Sequence, residues 1–176
     1  MVFTKQLTTV LLASLGVGLV IGSPLTKRDP PTVLSDLGLL GTDFQTLGSL
    51  VRSFDGNIAN SIPVSDAESA VEDGLVRAIS DTDASDAFSD GDSADVTSAL
   101  NDLQPNITSA VDDIRPDFDS AGLTGTILSN LQSLRNLTAQ LSGSLQGKLT
   151  PTDAANVSSG LGDVDTAHAS AISAFS

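Results

Sequence analysis

The sequence predicts an all-α fold, a five-helix amphipathic bundle that follows a cleaved signal peptide. Three observations predict it. Apolar residues recur every three or four positions from Val33 to Phe175, and no segment alternates with the period of two expected of a half-buried strand. Pro, Gly and Asp/Ser clusters interrupt the stripes at helix-length intervals.

Residues 1–22 read as a secretory signal. Lys5 precedes an uncharged stretch from Val10 to Ile21, and Gly22 and Ser23 are the small residues a signal peptidase needs. That apolar run is too short to span a bilayer, which takes about 20 residues. Residues 23–28 form a short pro-segment ending in the dibasic pair Lys27–Arg28, and residues 29–176 form the helical domain. Removing residues 1–28 leaves five basic and 22 acidic residues, a charge of −17. Nothing after residue 28 resembles a transmembrane run, and Ala174–Phe175–Ser176 carries no apolar tail for a lipid anchor. The expected product is released, extracellular and in part associated with a cell wall.

The first stripe, Val33, Leu37, Leu40, Phe44, Leu47, Val51, Phe54 and Ile58, advances by fours and threes, the signature of one helix face. Pro63 is expected to stop this helix. Ser65–Asp66–Ala67–Glu68 has the form of a capping box and opens a second helix through Val71, Leu75, Ala78 and Ile79. Six aspartates between residues 81 and 95 predict a self-repelling loop. The third stripe is Val96, Leu100, Leu103, Ile107, Val111 and Ile114, with a kink or break expected at Pro105. Pro116 and Gly122 end it, with Phe118 between them as a packing anchor. A fourth stripe runs from Leu123 through Ile127, Leu131, Leu134, Leu137, Leu141 and Leu145, and Lys148 sits near its end where a cation suits the helix dipole. Thr150–Pro151 caps the last helix, whose stripe is Val157, Leu161, Val164, Ala167 or His168, Ala171 and Phe175.

Composition removes many functions. The chain has no Cys, so disulfide scaffolds, zinc ribbons and thiol nucleophiles are excluded. Its net charge of −14 gives no electrostatic footprint for nucleic acid. It has no Trp or Tyr to build a stacking platform or an aromatic cage. No catalytic set emerges either. Gly143–Ser144–Leu145–Gln146–Gly147 places its serine one position early for a nucleophile elbow. His168 is the only histidine, expected to be a boundary side chain with one hydrogen bond rather than a base. Asp81-x-Asp83-x-Ser85 begins like a calcium loop, but Asp86 stands where Gly is needed and Asp92 where Glu is needed. No metal and no cofactor are expected.

Three acceptor sequons, at Asn106, Asn136 and Asn156, fit a secreted glycoprotein. The acidic residues are 20 Asp and two Glu, and Ser and Thr number 34 after residue 28, so the polar faces carry short side chains that screen apolar grooves poorly. The apolar residues expected to bind are Leu40, Phe44, Leu47, Val51, Phe54, Leu100, Leu103, Ile107, Leu131, Leu134 and Leu141. Three readings follow. The stripes turn outward onto a hydrophobic surface; or they enclose an acyl chain, with Phe44, Phe54, Leu100, Leu131 and Leu141 as lining and a polar group at the mouth; or they bury only one another in an inert wall glycoprotein.

The signal peptide, the Lys27–Arg28 step, the lack of cysteine, the first stripe ending in Phe54–Asp55–Gly56, and Phe118 with Gly122 ahead of a Leu-rich helix resemble the fungal hydrophobic surface-binding protein A family. That family overlaps with the cell-wall galactomannoproteins. The resemblance covers about residues 30–175, with one departure: Arg115–Pro116 stands where similar proteins continue the helix through a basic pair. It implies a secreted, non-enzymatic protein that adsorbs to hydrophobic surfaces and helps a polyester-degrading esterase settle there. Some relatives resemble carriers that hold a fatty acid inside the bundle.

Overall fold

A computed structural model describes residues 29–112 and 117–176. The expected leader, the Lys27–Arg28 step, Ile114 and Arg115–Pro116 lie outside the described residues. Five long helices and one single-turn helix make up the described chain, where the periodicity predicts five.

Helix α1 spans Pro30–Ser53. Asp29 caps it, its carboxylate accepting from the Thr32 N–H at 3.3 Å and the Thr32 hydroxyl at 2.7 Å, and the two prolines occupy first-turn positions that need no N–H. It ends where Phe54 turns extended and Gly56 adopts φ +80°, a conformation that favours glycine. The expected stop at Pro63 is therefore corrected. The first stripe is cut before Ile58, which enters a 3₁₀ turn, Ile58–Asn60, fastened by Asp55 and Asn57 side chains that accept from nearby N–H groups.

Helix α2 is Ser61–Asp83. Pro63 lies in its first turn, where the missing N–H costs nothing, and Ser65 is inside the helix rather than at its cap. The acid-rich segment is also mostly helical. Helix α2 continues through Asp83 and α3, Asp90–Asp112, begins seven residues later, so only residues 84–89 connect them. Two local contacts explain this. Lys148 Nζ donates to the carbonyls of Asp83 and Ser85 at 3.1 and 2.5 Å, neutralising the carboxyl end of α2. Ser89 then accepts from the Asp92 N–H at 3.3 Å, and Asp90 and Asp92 sit in the first turn of α3, where negative charge is favoured. The expected role of Lys148 at the end of its own helix thus becomes a role at the end of α2. Pro105 lies inside α3, which continues past it, so of the expected kink or break the break is absent.

Helix α4 is the single turn Asp117–Ser120. The Leu123 N–H donates to the Phe118 carbonyl and the Gly122 N–H to the Asp119 carbonyl, both at 2.9 Å, with Gly122 at φ +72°. This is a Schellman closure, and glycine is the residue that fits its left-handed position. Helix α5 is Thr124–Gln146 and α6 is Pro151–Ala174, capped by Thr150 as the sequence predicts. Asp153 accepts from the hydroxyls of Thr150 and Ser93 at 2.9 and 2.6 Å, tying the start of α6 to the start of α3.

The long helices form a closed ring: α2 packs on α1, α1 on α3, α3 on α6, α6 on α5 and α5 on α2. Each stripe faces the common axis, so Leu40, Phe44, Leu75, Leu100, Ile107, Leu131, Leu141 and Val164 are almost completely buried. No described helix is long and apolar enough to cross a membrane.

Candidate functional site

Between the lower part of α1, the start of α2 and the first half of α5 lies an apolar cleft of about 160 Å³. Leu47 and Val51 of α1, Val64 of α2, and Ile127, Leu131 and Leu134 of α5 form its walls, and Phe118 of α4 closes one end. Phe118 is held there by stacking on Phe54, with ring centroids 4.2 Å apart and planes 11° apart. The polar edge is supplied by Ser61, Ser65 and Glu68 on α2 and by Thr126 and Asn130 on α5.

Glu68 gives this edge its electrostatic character. Burial, followed by the charge of Glu72 one turn on and a hydrogen bond with it, pushes the Glu68 carboxyl up to about 7. Ser133 on α5 donates to Glu72 Oε1, so the pair is anchored across the α2/α5 contact. Near neutral pH a carboxyl with this affinity is protonated in part of the molecules and able to donate a hydrogen bond.

A more deeply buried carboxyl sits on the first half of α1. Asp36 is 5 % exposed and pairs with the Arg77 guanidinium at 3.2 Å. Burial and the neighbouring Asp81 carboxyl push its affinity for a proton up, against the pull of Arg77. Asp81 and Asp83 lie in the last turns of α2 and not at the head of a loop, which removes the geometry a calcium loop needs. Among the described residues no group of three or more potential ligands could hold a metal ion.

Between α5 and α6 a more polar cleft of about 180 Å³ is lined by Thr138, Ser142, Ser158, Leu161 and His168 and by the charged pair Arg135 and Asp165. Arg135 grips Asp165 with two hydrogen bonds, at 2.6 and 2.8 Å, which hold the Asp165 carboxyl below its usual range. His168 is fully buried, correcting the expected boundary position. The one hydrogen bond expected of it is present, between Nδ1 and the Val164 carbonyl at 3.0 Å. Burial lowers its proton affinity and so favours the neutral imidazole.

Of the apolar residues singled out in the sequence, Leu47, Val51, Leu131 and Leu134 border the apolar cleft. Leu40, Phe44, Phe54, Leu100, Leu103, Ile107 and Leu141 are equally buried but do not line it. Of Phe44, Phe54, Leu100, Leu131 and Leu141, the lining expected of an acyl cavity, Leu131 borders this cleft. The other residues of the cleft, Val64, Glu68, Phe118, Ile127 and Asn130 among them, were not read as binding residues. One signal for Glu68 is in the sequence: the chain has only two Glu, four residues apart on one helix turn. The sequons all fall on helices, with Asn136 and Asn156 exposed and Asn106 half-buried, its amide donating to the Asp102 carbonyl at 3.4 Å.

The model of the hydrophobic surface binding protein A family matches residues 30–147. Among solved structures, AFMP4P of Aspergillus fumigatus, crystallised in complex with palmitic acid, is 38% identical, with a TM-score of 0.82. The match covers 84% of this chain and 100% of that one. Ligand binding domains 1 and 2 of the Penicillium marneffei MP1 protein, complexed with arachidonic acids, are 16% and 15% identical, each with a TM-score of 0.77. Those matches cover 84% and 85% of this chain and 99% and 96% of theirs, and at such identity they speak for the fold alone. No curated protein sequence matches at a comparable level. The matched region takes in α1 to α5 and every residue of the apolar cleft, and the chain belongs to the hydrophobic surface binding protein A family.

Proposed function

We propose that this protein is a non-enzymatic carrier that takes the acyl chain of a fatty acid into the cleft between α1, α2 and α5. The observation that carries the reading is the cleft itself: a mostly apolar slot walled by Leu47, Val51, Val64, Ile127, Leu131 and Leu134, with a few polar groups of α2 and α5 in its lining. A fatty acid has the same division, a long apolar chain and one polar end. The 38% identical AFMP4P, crystallised in complex with palmitic acid, supports the reading from outside the chain.

The cleft of about 160 Å³ is smaller than the roughly 300–1,000 Å³ typical of ligand sites, so binding requires the helices to part. The element able to move is the single turn α4. It is short, is followed by Gly122 at positive φ, and carries Phe118, which lines the cleft and stacks on Phe54. Glu68, partly protonated near pH 7, and Ser65 and Asn130 are the groups placed to meet the ligand's carboxyl end.

Adsorption to a hydrophobic surface has one specific support. Ile58 and Ile62 are 62% and 64% exposed at the corner next to the cleft, and they form an apolar prow. The stripes expected to face outward are instead buried against one another, so adsorption through them requires the bundle to open. Recruitment of an esterase would follow from adsorption and has no separate support in the geometry. Secretion after removal of residues 1–28, and glycosylation at Asn136 and Asn156, complete the reading.

Native mass spectrometry of delipidated protein mixed with palmitic acid tests it. One bound fatty acid at micromolar concentration is the expected result, and an unshifted mass overturns the carrier reading.

A further inference from the structure

Among the described residues, no cation lines the apolar cleft to receive an ionised headgroup. The chain carries five basic residues after residue 28, and the four that are described are engaged elsewhere. Arg52 donates to Ser109 on α3, Arg77 pairs with Asp36, Arg135 grips Asp165 on α6, and Lys148 donates to the Asp83 and Ser85 carbonyls. The polar lining is instead Ser61, Ser65, Thr126 and Asn130, which are neutral, and Glu68, its one ionisable group.

Glu68 is half-buried on α2, and Glu72, one turn on, is fixed beside it by the Ser133 hydroxyl. Asp66 and Asp73 of the same helix are exposed. The elements packed against α2 add no charge to the cleft. Among the described side chains α1 carries Asp36, Asp43 and Arg52, the corner after it Asp55, α4 Asp119 and α5 only Arg135, and none of these borders the space. A carboxylate drawn into this cleft would lose water, find no opposite charge and face a carboxyl of its own kind. Two carboxyl groups in contact avoid that cost by sharing one proton, whichever of the two carries it. Burial and Glu72 raise the Glu68 carboxyl to about 7, so above that value the shared proton has to be taken from water on binding. A fatty alcohol needs no such proton, because its hydroxyl donates to an ionised Glu68 and accepts from a protonated one.

We propose, resting on the carrier reading above, that the apolar cleft selects acyl chains whose polar end carries no charge, with Glu68 as the specificity-determining residue. A free fatty acid is held with one proton shared between its carboxyl and Glu68, and is released as that proton returns to water at alkaline pH. A fatty alcohol stays bound under the same conditions.

Isothermal titration calorimetry of the delipidated full chain with lauric acid and with lauryl alcohol, each at about pH 8 and about pH 9, tests this. For the acid the dissociation constant of the parent chain should rise about tenfold across that interval, the effect of one linked proton, and for the alcohol it should stay constant. Glu68→Gln supplies an amide that donates to a carboxylate at either pH, so it should bind the acid without such a rise. Equal acid affinity at the two pH values, or a tenfold rise that survives Glu68→Gln, overturns the selection and leaves the carrier reading standing. A parallel loss of alcohol affinity also overturns it, because alkali then changes the cleft and not the headgroup pairing. If neither ligand binds the parent chain at either pH, the carrier reading falls and the selection falls with it.

Discussion

Phe54 and Phe118 stack with their planes 11° apart, one closing α1 and the other carried by the single turn α4. Both are nearly fully buried, at 6% and 1% exposure, although neither belongs to a long helix. The pair joins two chain segments at the mouth of the apolar cleft. Together with the hydrogen bonds that tie Phe118 and Asp119 to the start of α5, it fixes α4 against the bundle.

Phe118→Leu keeps most of the volume and removes the stack, and should cost about 0.5–1.5 kcal/mol of stability. Fatty-acid association should become faster because α4 is held less firmly. Urea denaturation gives the first quantity and stopped-flow binding the second. Unchanged association kinetics with reduced stability would show that α4 does not gate the cleft.

Gly122→Ala forces a side chain into a left-handed position at φ +72°, at a cost of about 1–2 kcal/mol. No atom would obstruct the new Cβ, so the penalty is purely conformational. Thermal unfolding should show the loss. A stability equal to the parent would mean that the α4–α5 turn is not held in the conformation described.

Glu68 sets a pH dependence of definite sign. Its folded affinity of about 7 lies above the ordinary value of 4.5, so the folded state holds more protons than the unfolded chain between those values. Stability therefore falls as pH rises from about 4.5 to about 7. Glu68→Gln should flatten that decline, read as melting temperature against pH. The buried Asp36, also raised, adds a decline of the same sign that the substitution leaves in place.

His168 acts in the opposite direction. Its affinity is lowered from 6.5, so the unfolded chain takes up a proton before the folded one does, and the stability of the neutral buried ring is lost as pH falls below 6.5. As the only histidine, it gives a single imidazole titration by NMR. A midpoint below 6.5 is expected, and one at or above 6.5 would mean that the ring is solvated.

The stripes were legible because burial leaves a period-3.6 imprint: from Val33 to Val51 and from Leu131 to Leu145 every expected position is buried or half-buried. The breaks were harder. Ile58 continues the arithmetic of the first stripe by coincidence, and a proline reads identically as a stop or as a first-turn residue until the cap is known. The aspartates near residue 90 repel one another in isolation, but a helix start at Asp90 and the Lys148 ammonium at the end of α2 reverse the balance. The cleft was least legible. Leu131 borders it and Leu141 does not, yet both occupy the same stripe, because free space arises where neighbouring helices diverge and not from any property of one helix. Phe118 was readable as an anchor from its place between Pro116 and Gly122, but its stacking partner was not.

The position of a bound acyl chain tests the carrier account most directly. Delipidated protein with selectively labelled methyl groups, saturated with palmitic acid, should show intermolecular NOEs from ligand methylenes to Val64, Ile127, Leu131 and Leu134. Methylene contacts confined to the exposed Leu39 and Val76, with the cleft methyls unperturbed, would contradict it.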